Sequence, residues 1–218
     1  MDVTIVGAAG PTGLWVVREA LRAGHTVRAV SRRPDPLPLP PHPHLSQIRA
    51  DAVTGEGVEE AMTGADAVLS TLGVAYTRHE VAVYSRGTRT LIDALRRHGA
   101  GRRLVVVSSG LTYPPPSLHW LADRTVLPLL RHVVGRTLYA DMRRMEEMLR
   151  ESGDIDWTVM RPGRLVNAEA VSDYRLDEGF PARGITTRPD LAAAMVAELG
   201  GAAHVHLAVA PTSDRPAR

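Results

Sequence analysis

Gly7, Gly10 and Gly13 fall at every third position, directly after the apolar run Val3, Ile5, Val6 and directly before Leu14-Trp15-Val16-Val17. Residues lacking a Cβ at this spacing suit one kind of chemistry, which is bringing backbone N–H groups up against a bound diphosphate. Gly7 permits a sharp turn off a strand, Gly10 removes the side chain that would hold a pyrophosphate away, and Gly13 lets the next helix pack close to the sheet. Pro11 and Thr12 open that helix, whose free N–H groups and dipole favour negative charge. A buried strand before the glycines and a helix to about Arg22 after them supply the context such a turn needs.

A second set of chemical groups ends the next strand, expected over His25 to Ser31. Where an Asp or Glu would accept hydrogen bonds from a ribose 2′-OH, this chain has Ser31-Arg32-Arg33. Guanidinium groups offer paired donors to a phosphate and the Ser31 hydroxyl adds another, so NADP(H) is favoured over NAD(H). Asp35 lies too far on, behind Pro34. The plainer reading of Arg32 and Arg33 is a pair of solvated loop arginines. Further along, Arg103 to Val107 forms an apolar strand that delivers Ser108-Ser109-Gly110 at its C-terminal end. Ligands of open α/β sheets sit at that end, so the two hydroxyls are placed to meet a nicotinamide or a substrate carbonyl, with Ser109 ahead of Ser108.

Composition limits the chemistry. The absence of cysteine removes disulfides, thiolate catalysis and cysteine-bound metals. Lysine is absent too, so all 26 basic residues are arginine, and Schiff-base chemistry and a lysine proton relay are excluded. A net charge of +2 is no nucleic-acid footprint. His42 and His44 flank Pro43 at the end of a six-proline stretch from Pro34 to Pro43, a stiff extended loop with no third ligand nearby, so no metal is expected. The apolar stretch Leu191 to Ala210 is broken by Glu198, two glycines, His204 and His206, and does not read as a membrane span. No basic segment leads into an apolar core at the N-terminus, so a cytoplasmic location is expected. With 44% hydrophobic and 23% charged residues, the 218-residue chain suits one α/β domain over 1–218, as a monomer or homodimer.

The string Gly7-Ala8-Ala9-Gly10-Pro11-Thr12-Gly13 resembles the short-chain dehydrogenase/reductase superfamily, in particular its atypical, NAD(P)H-binding branch, which includes flavin and biliverdin reductase-like proteins. Two further blocks carry the resemblance, Val105 to Gly110 and Trp157-Thr158-Val159-Met160-Arg161-Pro162-Gly163, and the likeness runs from Val3 to about Leu199. It implies an α/β fold with a single Rossmann-type, doubly wound, mostly parallel sheet flanked by helices. It also implies roles. Asp51 and Ala52 would meet the adenine, although Asp51 reads equally well as a turn or cap acid before a helix at 55–63. Thr71-Leu72-Gly73 would run along the ribose and pyrophosphate, Ser109 would be the active-site hydroxyl, and Pro162-Gly163 would pass the nicotinamide face. Typical members pair a tyrosine, which donates a proton to the carbonyl, with a lysine four residues on that lowers its pKa. Tyr139 is followed at that spacing by Arg143, which can depress the phenol pKa by its charge but cannot relay a proton. Counting back from Leu149 to Gly153 sets the lysine position at Met142, which would shift the tyrosine match by one residue.

The resemblance therefore implies an NADPH-dependent reductase passing a hydride to a small-molecule acceptor: a flavin, quinone, tetrapyrrole or conjugated carbonyl compound. For such acceptors alignment supplies much of the catalysis and water can supply the proton, so the loss of lysine is tolerable. The same loss suits a non-catalytic NADP(H)-sensing or partner-binding protein similar to the NmrA-like regulators. An epimerase or dehydratase of the extended branch is disfavoured by the chain's length and the missing lysine.

The elements that must hold these groups read as alternating strands and helices. A third strand is expected at Ser46 to Ala50, a fourth at Asp66 to Leu69, a long helix at Glu80 to His98, and a sixth strand from Ile155. Met145, Met148 and Leu149 fit a buried helical stripe. Residues 111–136 form either a lid over the substrate or an ordinary connecting helix around Trp120, and residues 167–186 form a second substrate-facing segment. Thr187 is expected to cap the last helix, with Pro189 and a structural Asp190 in its first turn. A final strand is expected at His204 to Ala208, with a tail from Pro211.

Overall fold

The strands at the centre of the sheet, built from β-branched apolar runs, are buried on both faces, as parallel sheets require, while those at its edges are partly exposed. In a computed structural model, which describes residues 1–77, 79–113, 135–182 and 184–213, the strands are β1 (Asp2–Val6), β2 (Thr26–Ser31), β3 (Leu45–Arg49), β4 (Ala67–Ser70), β5 (Arg103–Val107), β6 (Asp156–Met160), β7 (Arg164–Val166), β8 (Arg175–Glu178), β9 (Ile185–Thr187) and β10 (Leu207–Thr212). Eight form one sheet in the order β3-β2-β1-β4-β5-β6-β10-β8, parallel throughout except that β8 runs antiparallel to β10. β7 and β9 pair separately. The described helices are α1 (Pro11–Arg22), α2 (Val58–Met62), α3 (Val83–His98), α4 (Arg136–Arg150) and α5 (Arg188–Ala197).

Alternation along the strands assigns the two faces. Val3, Ile5, Leu69 and Val105 pack with Val16 and Val17 of α1 and Leu191 and Met195 of α5. Val6, Val68, Leu104 and Val106 pack with Leu91 and Leu95 of α3 and Met145 and Leu149 of α4. The chain leaves β1 towards β2 on one side and reaches β4 on the other, so the order reverses between β1 and β4. Open α/β sheets bind their ligands outside the C-terminal ends of the strands at such a reversal, here the ends of β1 and β4.

Asp141 ties α3 to α4. The N-cap residue of α3, Ala82, has no side-chain cap bond of its own. The fully buried Asp141 accepts from the N–H groups of Tyr84 (2.9 Å) and Ser85 (3.3 Å) and also from the Ser85 hydroxyl. A carboxylate at a helix start satisfies otherwise orphaned donors. Thr187 caps α5 as its sequence suggests, accepting from the Asp190 N–H, while buried Asp190 accepts from Ser172 and Ser213 and is structural.

Three expectations need correction. Residues 167–182 are not wholly an excursion, because Arg175–Glu178 closes the sheet edge against β10. The last strand begins and ends later than His204 to Ala208, and Pro211 belongs to it rather than to a tail. Pro211 is tolerated because β6 pairs only with Leu207 to Val209, leaving Pro211 alongside β8 alone within the sheet. The short pair of β7 and β9 was not apparent from the pattern. Pro114 to Pro116, His119, Trp120 and Pro128, in the segment expected to form a lid or helix, lie outside the described residues.

Candidate functional site

The site begins where β1 ends. Gly7 has φ +82°, a conformation that glycine adopts without strain, and its N–H and that of Ala8 both donate to the Val30 carbonyl of β2 at 3.1 Å. Gly10 N–H donates to the Gly7 carbonyl at 3.0 Å, closing the turn. A Cβ on Gly7 would stand 2.9 Å from the Thr71 carbonyl oxygen, and one on Gly13 would stand 2.2 Å from the Gly7 oxygen and 2.8 Å from Ala8 Cα. Gly13 therefore lets α1 close onto the turn that leaves β1. α1 starts with no side-chain cap bond and no acidic residue in its first turn. Its leading amides, at Thr12 and Gly13, thus face a site with no competing carboxylate, which fits a diphosphate. Pro11, exposed at the helix start, contributes shape and no donor.

Thr71, Leu72 and Gly73 follow β4 beside this turn. The Thr71 hydroxyl donates to the carbonyls of Val6 (3.0 Å) and Gly7 (3.2 Å) and its N–H donates to the Val6 carbonyl (2.9 Å), so Thr71 clamps the glycine turn, while Gly73 is exposed. Leu72 packs down on Gly87 of α3, where an added Cβ would meet its Cδ1 at 2.5 Å.

At the tip of β2, Ser31 is buried and its hydroxyl accepts from the Arg33 N–H at 3.0 Å, so it shapes the turn. Arg32 and Arg33 point into solvent, the Arg32 side chain being 75% exposed, with its nearest acid, Asp51 Oδ2, at 3.9 Å. Asp51 also accepts from the Val53 N–H through Oδ1 at 2.8 Å. It thus serves as a turn acid and still presents one oxygen toward Arg32, while Ala52 is buried beneath.

At the ends of β5 and β6 the two serines part company. Ser108 is buried, donating to Glu146 Oε1 at 2.7 Å and bonded to Thr112 Oγ1 at 2.9 Å, so its hydroxyl faces the interior. Glu146, 1% exposed, also pairs with Arg161 and Arg150. The Arg161 guanidinium lies 4.8 Å from the Tyr113 ring centre and 5.7 Å from that of Phe180, and donates to the Gly179 carbonyl at 3.3 Å. It joins the described ends of both segments expected to face substrate. Ser109 instead lies beside Tyr139, whose hydroxyl is 2.7 Å from that of Tyr76. Burial first, and then the bond to Tyr76, push the Tyr139 phenol above its ordinary value, opposed in part by Ser109. Arg143 does not depress it as expected, because its guanidinium donates to the Thr112 carbonyl at 3.1 Å. Met142, at the lysine position, is buried.

Pro162 is buried and its carbonyl accepts from the Gly110 N–H at 2.9 Å, fastening the two strand exits together. A Cβ on Gly163 would come within 2.6 Å of the Gly184 backbone. The missing side chain is thus required by the close approach of the β7–β9 segment. Tyr76, Glu146, Arg161 and Asp141 were not singled out beforehand.

A family model described as NAD(P)H-binding matches residues 7–200. The chain belongs to the NAD(P)H-binding family. A 3-beta-hydroxysteroid dehydrogenase of Mycolicibacterium neoaurum is 29% identical over 120 residues, covering 50% of this chain and 32% of that protein. An uncharacterized chloroplastic protein of Arabidopsis thaliana is 30% identical over 177 residues, covering 76% of this chain and 59% of its own length. The chain therefore spans less than two thirds of these relatives. Among solved structures, a short-chain dehydrogenase/reductase of Veillonella parvula in complex with NADP superposes with a TM-score of 0.78 at 20% identity, covering 98% of this chain and 95% of that one. A candidate NADH-flavin reductase of Streptococcus pneumoniae gives a TM-score of 0.77 at 22% identity, covering 98% and 100%.

As a member of the NAD(P)H-binding family with a mostly parallel sheet, the chain has the Rossmann fold and the oxidoreductase-like architecture expected of it. No described helix is long and apolar enough to cross a membrane, and among the described residues no group of three His, Cys, Asp or Glu could hold a metal ion.

Proposed function

We propose that this chain is an NADP(H)-dependent reductase of the atypical short-chain type, passing a hydride to a flavin, quinone, tetrapyrrole or conjugated carbonyl compound. We further propose that it acts as a single domain in the cytoplasm, as a monomer or homodimer. The carrying observation is the glycine cradle at Gly7, Gly10 and Gly13 with two exposed guanidinium groups, Arg32 and Arg33, at the neighbouring strand tip. In this reading the Thr12 and Gly13 amides take the diphosphate and Arg32 and Arg33 take the 2′-phosphate. Asp51 and Ala52 border the adenine, and the backbone of Thr71 to Gly73 follows the ribose. Ser109 and Tyr139 border the reacting end, with Pro162 and Gly163 forming its floor and Ser108 supporting the turn from below.

When bound, NADPH supplies the hydride. The chain aligns the acceptor against it and offers neutral hydroxyls for hydrogen bonding. A phenol pushed upward, as at Tyr139, is a poor proton donor and stays neutral. That suits acceptors whose reduced forms are stabilised by conjugation more than it suits simple ketones. The NADP complex of the Veillonella protein and the flavin-reductase description of the Streptococcus protein support this reading.

The test is NADPH consumption with a panel of flavins, quinones and enones, beside a simple ketone. Turnover of a conjugated acceptor is expected. Turnover of the ketone alone would overturn the acceptor class. Tight NADPH binding without any turnover would favour the second reading, a non-catalytic NADP(H) sensor, for which Met142 at the lysine position is the supporting observation.

A further inference from the structure

Among the described residues, three large apolar side chains are exposed: Met1 (49%), Leu207 (38%) and Tyr76 (56%). Met1 precedes β1 and Leu207 begins β10, which runs parallel to its neighbour β6, so both lie at the N-terminal end of the sheet. Tyr76 lies at the opposite end, in the loop that leaves β4 beside the glycine turn. The burial of aromatic surface is favourable, and a ring held in water at the end of the sheet where such folds bind ligands is a surface to be covered when the ligand arrives.

The ring is held in place. On one side of it the Thr137 hydroxyl donates to the Thr77 carbonyl at 3.3 Å, and on the other the Val74 backbone N–H faces the Tyr84 hydroxyl. The ring itself meets Tyr139 edge-on, with centroids 6.3 Å apart at 68°, and the two hydroxyl oxygens are 2.7 Å apart. Tyr139 is 1% exposed, so a hydrogen on its oxygen that found no acceptor would be a buried unsatisfied donor, which is costly. Directing that hydrogen to Tyr76 satisfies it and leaves the Tyr76 hydrogen facing the open side. A hydroxyl that accepts one hydrogen bond is polarised to donate another, so the pair Tyr139, Tyr76 ends in a strengthened donor on the solvent side.

We propose that Tyr76 is an acceptor-binding residue: its ring stacks on a planar conjugated acceptor, and its hydroxyl, backed by Tyr139, donates a hydrogen bond to a carbonyl oxygen on that acceptor's rim. This rests on the reductase reading above and narrows its acceptors to planar ring systems bearing a carbonyl, such as isoalloxazines and quinones. An aliphatic ketone offers no face to stack.

The experiment uses the full chain saturated with NADP+, which cannot donate a hydride, and measures FMN and menadione binding by fluorescence quenching and calorimetry. Wild type is compared with Tyr76→Phe and Tyr76→Ala. Melting temperatures check folding, which the exposed position leaves intact. Expected are about tenfold weaker binding of both acceptors in Tyr76→Ala, a smaller loss in Tyr76→Phe, and NADP+ affinity within about twofold in both. Acceptor affinity unchanged in Tyr76→Ala, equal losses of NADP+ and acceptor, or no binding of either acceptor to the NADP+-loaded wild type would each overturn the proposal. Failure of the reductase reading is separate, appearing as no NADPH consumption by the wild type with any acceptor.

Discussion

Gly13→Ala sets two opposed effects against each other. Alanine at a helical position is favoured over glycine by about 1 kcal/mol, so helix propensity alone predicts a gain. Against it, the new methyl would lie 2.2 Å from the Gly7 oxygen and 2.8 Å from Ala8 Cα, and both are backbone atoms that cannot swing aside. Overpacking of this kind costs about 1–3 kcal/mol, so the net is a loss of up to about 2 kcal/mol. For a chain of this size that lowers Tm by roughly 0–8 °C. The larger consequence is for binding. The Gly7 carbonyl that must move is the acceptor for Gly10 N–H and for the Thr71 hydroxyl, so relieving the clash displaces both walls of the cradle. A displacement near 1 Å at a ligand's contact surface costs on the order of 100-fold. The assay is NADPH titration by calorimetry beside thermal unfolding, with Gly153→Ala, where an added Cβ meets nothing within 4 Å, as the control. A Gly13→Ala variant binding NADPH like wild type, with Tm unchanged or raised, would refute the argument that this glycine closes the helix onto the turn.

Arg32→Ala with Arg33→Ala is expected to weaken NADPH binding by about 1–3 kcal/mol while barely changing NADH, since among the described residues the ion pair these exposed cations make is a long one, Arg32 to Asp51 at 3.9 Å. Calorimetry with both cofactors decides, and equal losses would reject the 2′-phosphate assignment. Glu146→Ala leaves Arg161 buried without its counter-charge and is expected to cost about 3–5 kcal/mol, read as a fall in Tm, with Glu146→Met plus Arg161→Met closer to wild type. A melting temperature unchanged in Glu146→Ala would contradict the buried network. Burial pushes the Tyr84 phenol up to about 12, so the folded state holds that proton more tightly than the unfolded chain, whose tyrosine titrates near 10. Its contribution is complete below about pH 10 and lost as pH rises from about 10 through 12, a window uncrowded by lysine. Tyr84→Phe is expected to flatten that decline, and a decline of unaltered slope would count against it.

Elements with a strong local signature were legible in the sequence. Val3 to Gly13 announces a strand, a turn and a helix start because β-branching, glycine spacing and Pro11 are all local properties. What escaped was decided by partners distant in the chain. The polar Arg175–Glu178 reads as a loop, and becomes a strand only because β10 offers it an edge. Pro211 looked like the start of a tail since its pairing partner, Leu176, is found only in three dimensions. Ser108 and Ser109 are chemically identical side by side, and a buried Glu146 thirty-eight residues on separates their roles. Gly13 and Gly163 were recognised as positions that exclude a side chain, while the nearest atoms excluding it, in the Gly7 turn and the Gly184 backbone, are identified only in three dimensions. Tyr76 carries no motif, and its link to Tyr139 spans sixty-three residues.

The most direct test of the account is a calorimetric titration of the wild-type chain with NADPH and NADH at one ionic strength. Binding of NADPH about tenfold or more tighter than NADH is the expected result, from amides at the start of α1 and guanidinium groups at the tip of β2 acting together. No heat with either dinucleotide, or a preference for NADH, would contradict it.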